Sequence, residues 1–176
     1  LGLVGSEMCI RDSYIGMPSS SVLEPVMYLY NRTRQDKYLD FAKYIVKQWE
    51  TPEGPRLISK AIADIPVAGR FPHPKVWFSP ENGQKAYEMM SCYEGLLELY
   101  KVTKNPLYLS VVEKTMNHII NEEINVAGSG SAFECWYGGK ALQTYPTYHT
   151  METCVMFTWM QICDRMLAVS YTHLRA

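Results

Sequence analysis

Apolar residues recur at helical spacing through most of this chain, and polar turns separate the helical stretches. Within residues 36–49 they form a broad stripe along one helical face, made of Leu39, Ala42, Tyr44, Ile45 and Val46. A stripe of this kind is typical of a helix that packs one face against a core. The pattern therefore predicts a largely helical chain.

The other predicted helices follow from the same spacing. One begins near residues 21–24, where Ser21 and Glu24 form a possible capping box. Others are expected at about 56–63, from Asn82 or Gly83 to Lys101, from Pro106 to about Asn121, and onward from about Met151. The last of these is apolar on nearly every side, which is typical of a helix enclosed in a larger assembly.

The first pair of helices recurs 70 positions later. The recurring residues, each given with its later copy, are Glu24 and Glu94, Leu29 and Leu99, Tyr30 and Tyr100, Thr33 and Thr103, Tyr38 and Tyr108, and Leu39 and Leu109. A short polar turn joins the two helices of each copy, so these helices are antiparallel neighbours. In the second copy Asn105 is a candidate helix cap, and Pro106 suits the first helical position.

Two architectures accommodate such hairpins. One is a solenoid of helical pairs, which serves as a binding scaffold and repeats about every 34 residues. The other is an α/α toroid, in which inner and outer helices alternate around an axis. The proline-rich residues 52–80 interrupt the shorter period, and the glycine-containing loop 124–148 adds a second long connection. Long connections of this kind favour the toroid, where they build the rim of an active site.

Composition narrows the possible functions. The 176 residues suffice for one domain with a proper core. The net charge is −1 and no basic stripe is present, which excludes a typical nucleic-acid-binding protein. No apolar run approaches the roughly 20 residues that a membrane span needs. The five cysteines are odd in number and irregularly spaced, which favours free thiols or metal ligands over a disulfide framework.

The two ends of the chain differ from the rest. Residues 1–13 and 168–176 resemble translated sequencing-adapter read-through, and natural mobile termini are the alternative. We therefore expect the native part of the chain to be residues 14–167.

One carboxylate stands out in the glycine-rich loop. Glu134 lies between Phe133 and the sequence Cys135-Trp136-Tyr137. Among aromatic side chains a carboxyl group loses hydration, which favours the protonated form that a general acid requires. The alternative is an ordinary solvated loop glutamate.

A second group of interest comes at the start of the last helix. Glu152 and Cys154 are two residues apart, so in mid-helix their side chains would diverge by about 200°. At a helix start, with Thr150 as the cap, they could share an ion, and a carboxylate with a thiolate is a metal-ligand set. The alternative is an N-terminal glutamate that favours the helix dipole, next to a buried thiol.

Taken together, these segments resemble glycoside hydrolase family 127, the β-L-arabinofuranosidase family. The resemblance covers essentially all of residues 14–167. It is carried by Leu23-Glu24-Pro25, by Lys85-Ala86-Tyr87-Glu88-Met89-Met90, by Glu94-Gly95-Leu96-Leu97-Glu98-Leu99-Tyr100, by the Gly-Ser-Gly-Ser-x-x-x-Glu loop that ends at Glu134, and by Glu152-Thr153-Cys154.

The resemblance implies an (α/α)6 barrel followed by β-domains. It also implies a retaining mechanism, with a cysteine nucleophile held on zinc. Glu134 matches the family's acid/base, while Glu152 and Cys154 match two zinc ligands. The later Cys-Cys pair of the family, which includes the nucleophile, has no match in this chain. Lys85 lies where arabinofuranosidases carry a sugar-contacting histidine, so it is the expected substrate-binding residue and leaves the identity of the sugar open.

The expected function follows from this resemblance. The chain would be a fragment of a bacterial retaining glycoside hydrolase that acts on a carbohydrate, all-α, with a partial (α/α)6 toroid of antiparallel helical hairpins and an incomplete zinc site. Such a fragment is expected to be inactive by itself. A non-catalytic helical-repeat scaffold is the main alternative, and a lyase or a metal-free hydrolase on the same toroid is another.

Overall fold

The computed structural model of the protein describes residues 17–71, 85–132, 134–142 and 152–174. The α-helices are α1 (Met17–Ser20), α2 (Leu23–Thr33), α3 (Asp36–Trp49), α4 (Leu57–Ile62), α5 (Ala86–Thr103), α6 (Pro106–His118), α7 (Gly139–Leu142) and α8 (Thr153–Leu174). Val67–Gly69 forms a 3₁₀ turn and Ile119–Glu123 a π-turn. The strands β1 (Ser131–Ala132) and β2 (Cys135–Trp136) form a short antiparallel hairpin.

The α2–α3 turn is closed by a compact set of contacts. The hydroxyl of Thr33 donates to the Leu29 carbonyl at 2.7 Å. Arg34 adopts the left-handed conformation with φ 56°, and its N–H donates to the Tyr30 carbonyl at 2.7 Å. The Arg34 guanidinium also lies over the Tyr30 ring, 5.8 Å from its centroid.

The α5–α6 turn reproduces these contacts residue by residue. Thr103 donates to the Leu99 carbonyl at 2.9 Å, and Lys104 has φ 56° with its N–H on the Tyr100 carbonyl. Lys104 likewise lies 5.8 Å from the centroid of the Tyr100 ring. The internal repeat predicted from the sequence is therefore a structural repeat at the level of the turn.

Helix capping follows the sequence prediction in one copy only. Asn105 caps α6, since its side-chain oxygen accepts from the Leu107 N–H at 3.1 Å, and Pro106 is the first helical residue. The capping box predicted for α2 is wrong. Its N-cap is Val22, which has no side-chain acceptor, and the Glu24 carboxylate accepts instead from the Tyr28 hydroxyl at 2.7 Å.

The helices pack around α5. α5 contacts α2, α6 and α8, and α3 packs on α2. Every residue of α5 from Met89 to Tyr100 is buried, because this helix is enclosed by its neighbours. The described residues therefore form a mostly helical fold, as predicted, and the closed toroid stays a prediction.

The last helix leaves part of its apolar surface uncovered. Val155 and Ile162 are buried against α5, whereas Phe157 and Met160 are 54% and 59% exposed and Leu167 is also exposed. The larger assembly that was expected to enclose this helix stays a prediction. Among the described residues, no helix is long and apolar enough to cross a membrane.

The stretch predicted as the loop 124–148 contains more structure than expected. The β1–β2 hairpin and the short helix α7 lie within it. The expected helix start at Asn82 or Gly83 and the expected cap Thr150 lie outside the described residues.

Candidate functional site

The site is built around the β1–β2 hairpin. Ser131 pairs with Trp136 and Ala132 with Cys135, so Glu134 lies in the turn between the two strands. Glu134 occupies the second turn position with φ 64°, a left-handed conformation that few residues other than glycine adopt. Its side chain is 56% exposed. The hairpin thus presents the Glu134 carboxylate at its tip.

The start of α5 fixes one side of this tip. The Ala86 N–H donates to the Glu134 carbonyl at 2.8 Å, and Lys85 forms an isolated antiparallel bridge with Cys135. The Lys85 ammonium donates to the Glu134 carboxylate, while the Lys85 side chain itself is largely buried. The structure therefore brings two predicted site residues, Lys85 and Glu134, into direct contact.

Glu152 fixes the other side. One of its carboxylate oxygens accepts from the Glu134 N–H at 2.8 Å, and the other accepts from the Ser131 hydroxyl. Glu152 immediately precedes α8, and its carbonyl accepts from the Met156 N–H at 3.1 Å. Although 18 positions separate Glu134 from Glu152, the backbone of one is bonded to the side chain of the other.

Cys154 lies in the first turn of α8 and is exposed. Burial of the sulfur raises the pKa of its thiol, and the negative charge of Glu152 raises it further, while backbone N–H groups of α8 lower it. The thiol therefore lies within electrostatic reach of the Glu152 carboxylate. A cation bound between them would reverse this effect and favour the thiolate.

Two glutamates near the site were not identified as site residues from the sequence. Burial raises the pKa of the Glu88 carboxyl, with Lys85 opposing and Glu152 reinforcing the shift. Glu88 is one helical turn beyond Lys85, and this i,i+3 spacing was the available signal. Glu123 lies at the base of the hairpin, fully buried. No local sequence feature distinguishes it from the adjacent Glu122.

Glu152 and Cys154 offer a carboxylate and a thiol, both of which are zinc-ligand types. Each oxygen of Glu152 accepts one hydrogen bond from the protein and retains a further lone pair, which is how ligating carboxylates are commonly oriented. With Cys154 it supplies two of the four ligands typical of a structural zinc. Within the described ranges, no group of three or more His, Cys, Asp or Glu is placed to hold a metal ion. The pair fits zinc chemically as part of a larger ligand set.

Comparison with known proteins gives one match. The family model described as "Beta-L-arabinofuranosidase, GH127 catalytic domain" matches residues 13–172. Neither the curated proteins nor the solved structures gave a match. The matched range contains every site residue described above.

Proposed function

The chain belongs to the GH127 β-L-arabinofuranosidase catalytic-domain family, and we propose that it supplies the acid/base side of a retaining glycoside hydrolase site. The substrate is a carbohydrate, with Glu134 as the general acid/base. The observation that carries this proposal is the arrangement of Glu134, an exposed carboxylate on a backbone bonded on both sides to Glu152 and Ala86. General acid catalysis needs such a carboxyl group, because it must reach the glycosidic oxygen from a fixed position.

Lys85 is proposed to contact the sugar and to orient Glu134. Its ammonium already bonds to the Glu134 carboxylate, so a sugar hydroxyl within reach of one group is within reach of the other. Because Lys85 lies where arabinofuranosidases carry a histidine, the substrate sugar is best determined with a panel of aryl glycosides.

Glu152 and Cys154 are proposed to hold zinc together with ligands from elsewhere. When bound there, zinc would stabilise a thiolate at neutral pH. Because the Glu152 carboxylate accepts a hydrogen bond from the Glu134 N–H, Glu152 is also proposed to orient the acid/base. The nucleophile of a retaining mechanism is not among the residues that we assign to this site.

The test of the acid/base is a kinetic comparison in the complete gene product that contains this domain. The Glu134→Gln substitution should lower turnover of phenyl β-L-arabinofuranoside, or of the best substrate in the panel, by about 10²–10⁴-fold. The matched control is Glu53→Gln, which removes an exposed glutamate far along the chain and should leave turnover unchanged. Full activity in the Glu134→Gln variant would overturn the proposal.

The zinc assignment has a separate test that needs no turnover. Excess Zn²⁺ should slow the alkylation of Cys154 by iodoacetamide, and peptide mass spectrometry measures the rate of this reaction. The Glu152→Gln variant should lose this protection, whereas Glu113→Gln, which alters an exposed glutamate on α6, should keep it. Equal protection in all three proteins would show that Glu152 is not a ligand.

A further inference from the structure

The buried carboxylate of Glu123 accepts hydrogen bonds from the base of the β1–β2 hairpin, which carries Glu134. The Glu123 side chain accepts from three successive backbone N–H groups, those of Tyr137 at 3.2 Å, Gly138 at 3.0 Å and Gly139 at 3.1 Å. Glu123 is fully buried. Hydrogen bonds to an ionised acceptor are stronger than those between neutral groups, so these three bonds hold the end of β2 firmly.

The Glu123 backbone also lies close to the two ends of the hairpin, at Gly130 and Gly139. A Cβ atom added to Gly130, just before β1, would lie 2.9 Å from the Glu123 carbonyl oxygen. A Cβ added to Gly139, shortly after β2, would lie 2.9 Å from the same oxygen. Glycine is therefore required at both positions, where the chain enters and leaves the hairpin beside Glu123.

Glu123 is carried on the π-turn Ile119–Glu123, which follows α6. The turn closes with the Ile124 N–H donating to the Ile119 carbonyl at 3.0 Å. Such wide turns are rare and often occur at functional sites. Glu123 is the last residue of this turn, and its carboxylate lies at the base of the hairpin.

Two glutamates from distant segments thus hold the hairpin at opposite ends. Glu152 binds the tip through the Glu134 N–H, and Glu123 binds the base through residues 137–139. We propose that Glu123 is a positioning residue for Glu134, acting through the hairpin that connects them. This inference rests on the proposed acid/base role of Glu134, but the position of the hairpin can be tested without it.

The direct test is amide hydrogen exchange by NMR on the purified chain. The Glu123→Gln substitution should speed exchange at Tyr137–Gly139 and also at the Glu134 N–H, by about tenfold or more, the scale of losing a hydrogen bond to a charged acceptor. Exchange within α3 should be unchanged. Faster exchange at residues 137–139 with unchanged exchange at Glu134 would overturn the proposal, because the tip would then be independent of the base.

Two further variants keep the test decisive. Glu122→Gln removes the neighbouring charge and should leave exchange at Glu134 unchanged. Should Glu123→Gln fail to fold, Glu123→Asp retains the charge and retracts it by one methylene, and it should speed exchange at both sites to a smaller degree. An Asp variant with the Glu134 amide as protected as in the wild type would overturn the proposal.

A kinetic readout separates positioning from general loss of structure. A misplaced acid/base impairs protonation of poor leaving groups most, so Glu123→Gln should lower kcat/KM for a phenyl glycoside about tenfold or more relative to kcat/KM for a dinitrophenyl glycoside. The strain control is Gly128→Ala, which adds a methyl group in open space at φ 81° and should affect both substrates equally. Equal losses in Glu123→Gln would contradict positioning. Full activity in a Glu134→Gln variant would instead contradict the proposed function of Glu134. The amide-exchange result on the position of the hairpin would be unaffected.

Discussion

At the scale of single residues, the thiols near Glu152 are poor nucleophiles in the protein without a bound cation. Burial raises the pKa of Cys135 to about 11, with Lys85 opposing the shift, and the pKa of Cys154 is also raised. A thiol reacts as its thiolate, so both groups are mostly unreactive at neutral pH.

The first prediction concerns the order in which these thiols react. At pH 7.5, without added metal, iodoacetamide should modify the exposed Cys154 before the buried Cys135. The rate at Cys135 should rise about tenfold per pH unit up to its pKa, because only the thiolate reacts. Peptide mass spectrometry at pH 7.5, 8.5 and 9.5 gives the two rates. If Cys135 were modified faster than Cys154 at every pH, the burial of Cys135 would be contradicted.

The sequence singled out some of these residues and not others. Glu134 and Glu152 were candidates because of their positions in a loop and at a helix start, and their chemical roles stay predictions. Lys85 came from the family resemblance. Glu123 had no such signal, because its role depends on three N–H groups that are 14 to 16 positions away. Roles that arise from contacts between distant segments cannot be derived from local pattern.

At the scale of elements, the two repeated turns provide an internal comparison of capping. Asn105 accepts a hydrogen bond from the Leu107 N–H, whereas Gln35, at the equivalent position before α3, makes no side-chain capping bond. The Asn105→Ala substitution should therefore cost about 1 kcal/mol in the free energy of unfolding. Gln35→Ala should change it by less than about 0.5 kcal/mol. Urea denaturation of both variants measures the difference, and equal losses would contradict the capping assignment.

The contact between α2 and α5 depends on a single glycine. A Cβ atom at Gly95 would lie 2.7 Å from the Leu23 side chain and 2.8 Å from the Glu24 nitrogen. Since backbone cannot yield easily, Gly95→Ala should lower the free energy of unfolding by about 1–3 kcal/mol. The control is Gly69→Ala, whose Cβ would make an ordinary 3.6 Å contact with Ile65. A Gly95→Ala variant as stable as Gly69→Ala would show that these helices pack differently.

The elements divide into those that the sequence predicted and those that it did not. The helices α3, α4 and α6 lie close to their expected positions, because periodic apolar residues define them locally. The β1–β2 hairpin was not predicted, since two-residue strands are too short to show alternation. The carboxylates of Glu152 and Glu123, which come from other elements, accept hydrogen bonds at its tip and its base.

At the scale of the whole molecule, a buried polar cluster joins the three helices that pack side by side. Arg165 of α8 forms ion pairs with Glu24 of α2 and Glu94 of α5, and Glu98 lies nearby, bonded to Lys101 at 2.6 Å. Burial raises the pKa of the Glu94 carboxyl from 4.5 to about 7, with Arg165 opposing the shift. Arg165 is shared by the carboxylates of Glu24 and Glu94, and its positive charge offsets only part of the effect of burial on the pKa of Glu94.

This cluster predicts that stability depends on pH. The folded state binds the Glu94 proton more tightly than the unfolded chain, so the stability that it contributes is complete below pH 4.5 and is lost as the pH rises through about 7. Urea denaturation should therefore give a lower free energy of unfolding at pH 8 than at pH 5. The Glu94→Gln variant should show a weaker dependence, while Glu113→Gln should parallel the wild type. An unchanged dependence in Glu94→Gln would show that Glu94 does not titrate in this range.

The central claim is that Glu134 donates the proton to the leaving group. The most direct measurement compares wild type and Glu134→Gln in the complete gene product, using phenyl and dinitrophenyl glycosides of the same sugar. Loss of a general acid should cost about 10²–10⁴-fold with the phenyl leaving group, which needs protonation. The dinitrophenyl group leaves without a proton, so its kcat/KM, which reports the step that releases the leaving group, should be affected far less. Equal losses of kcat/KM with both leaving groups would contradict the acid/base assignment and, with it, this account of the site.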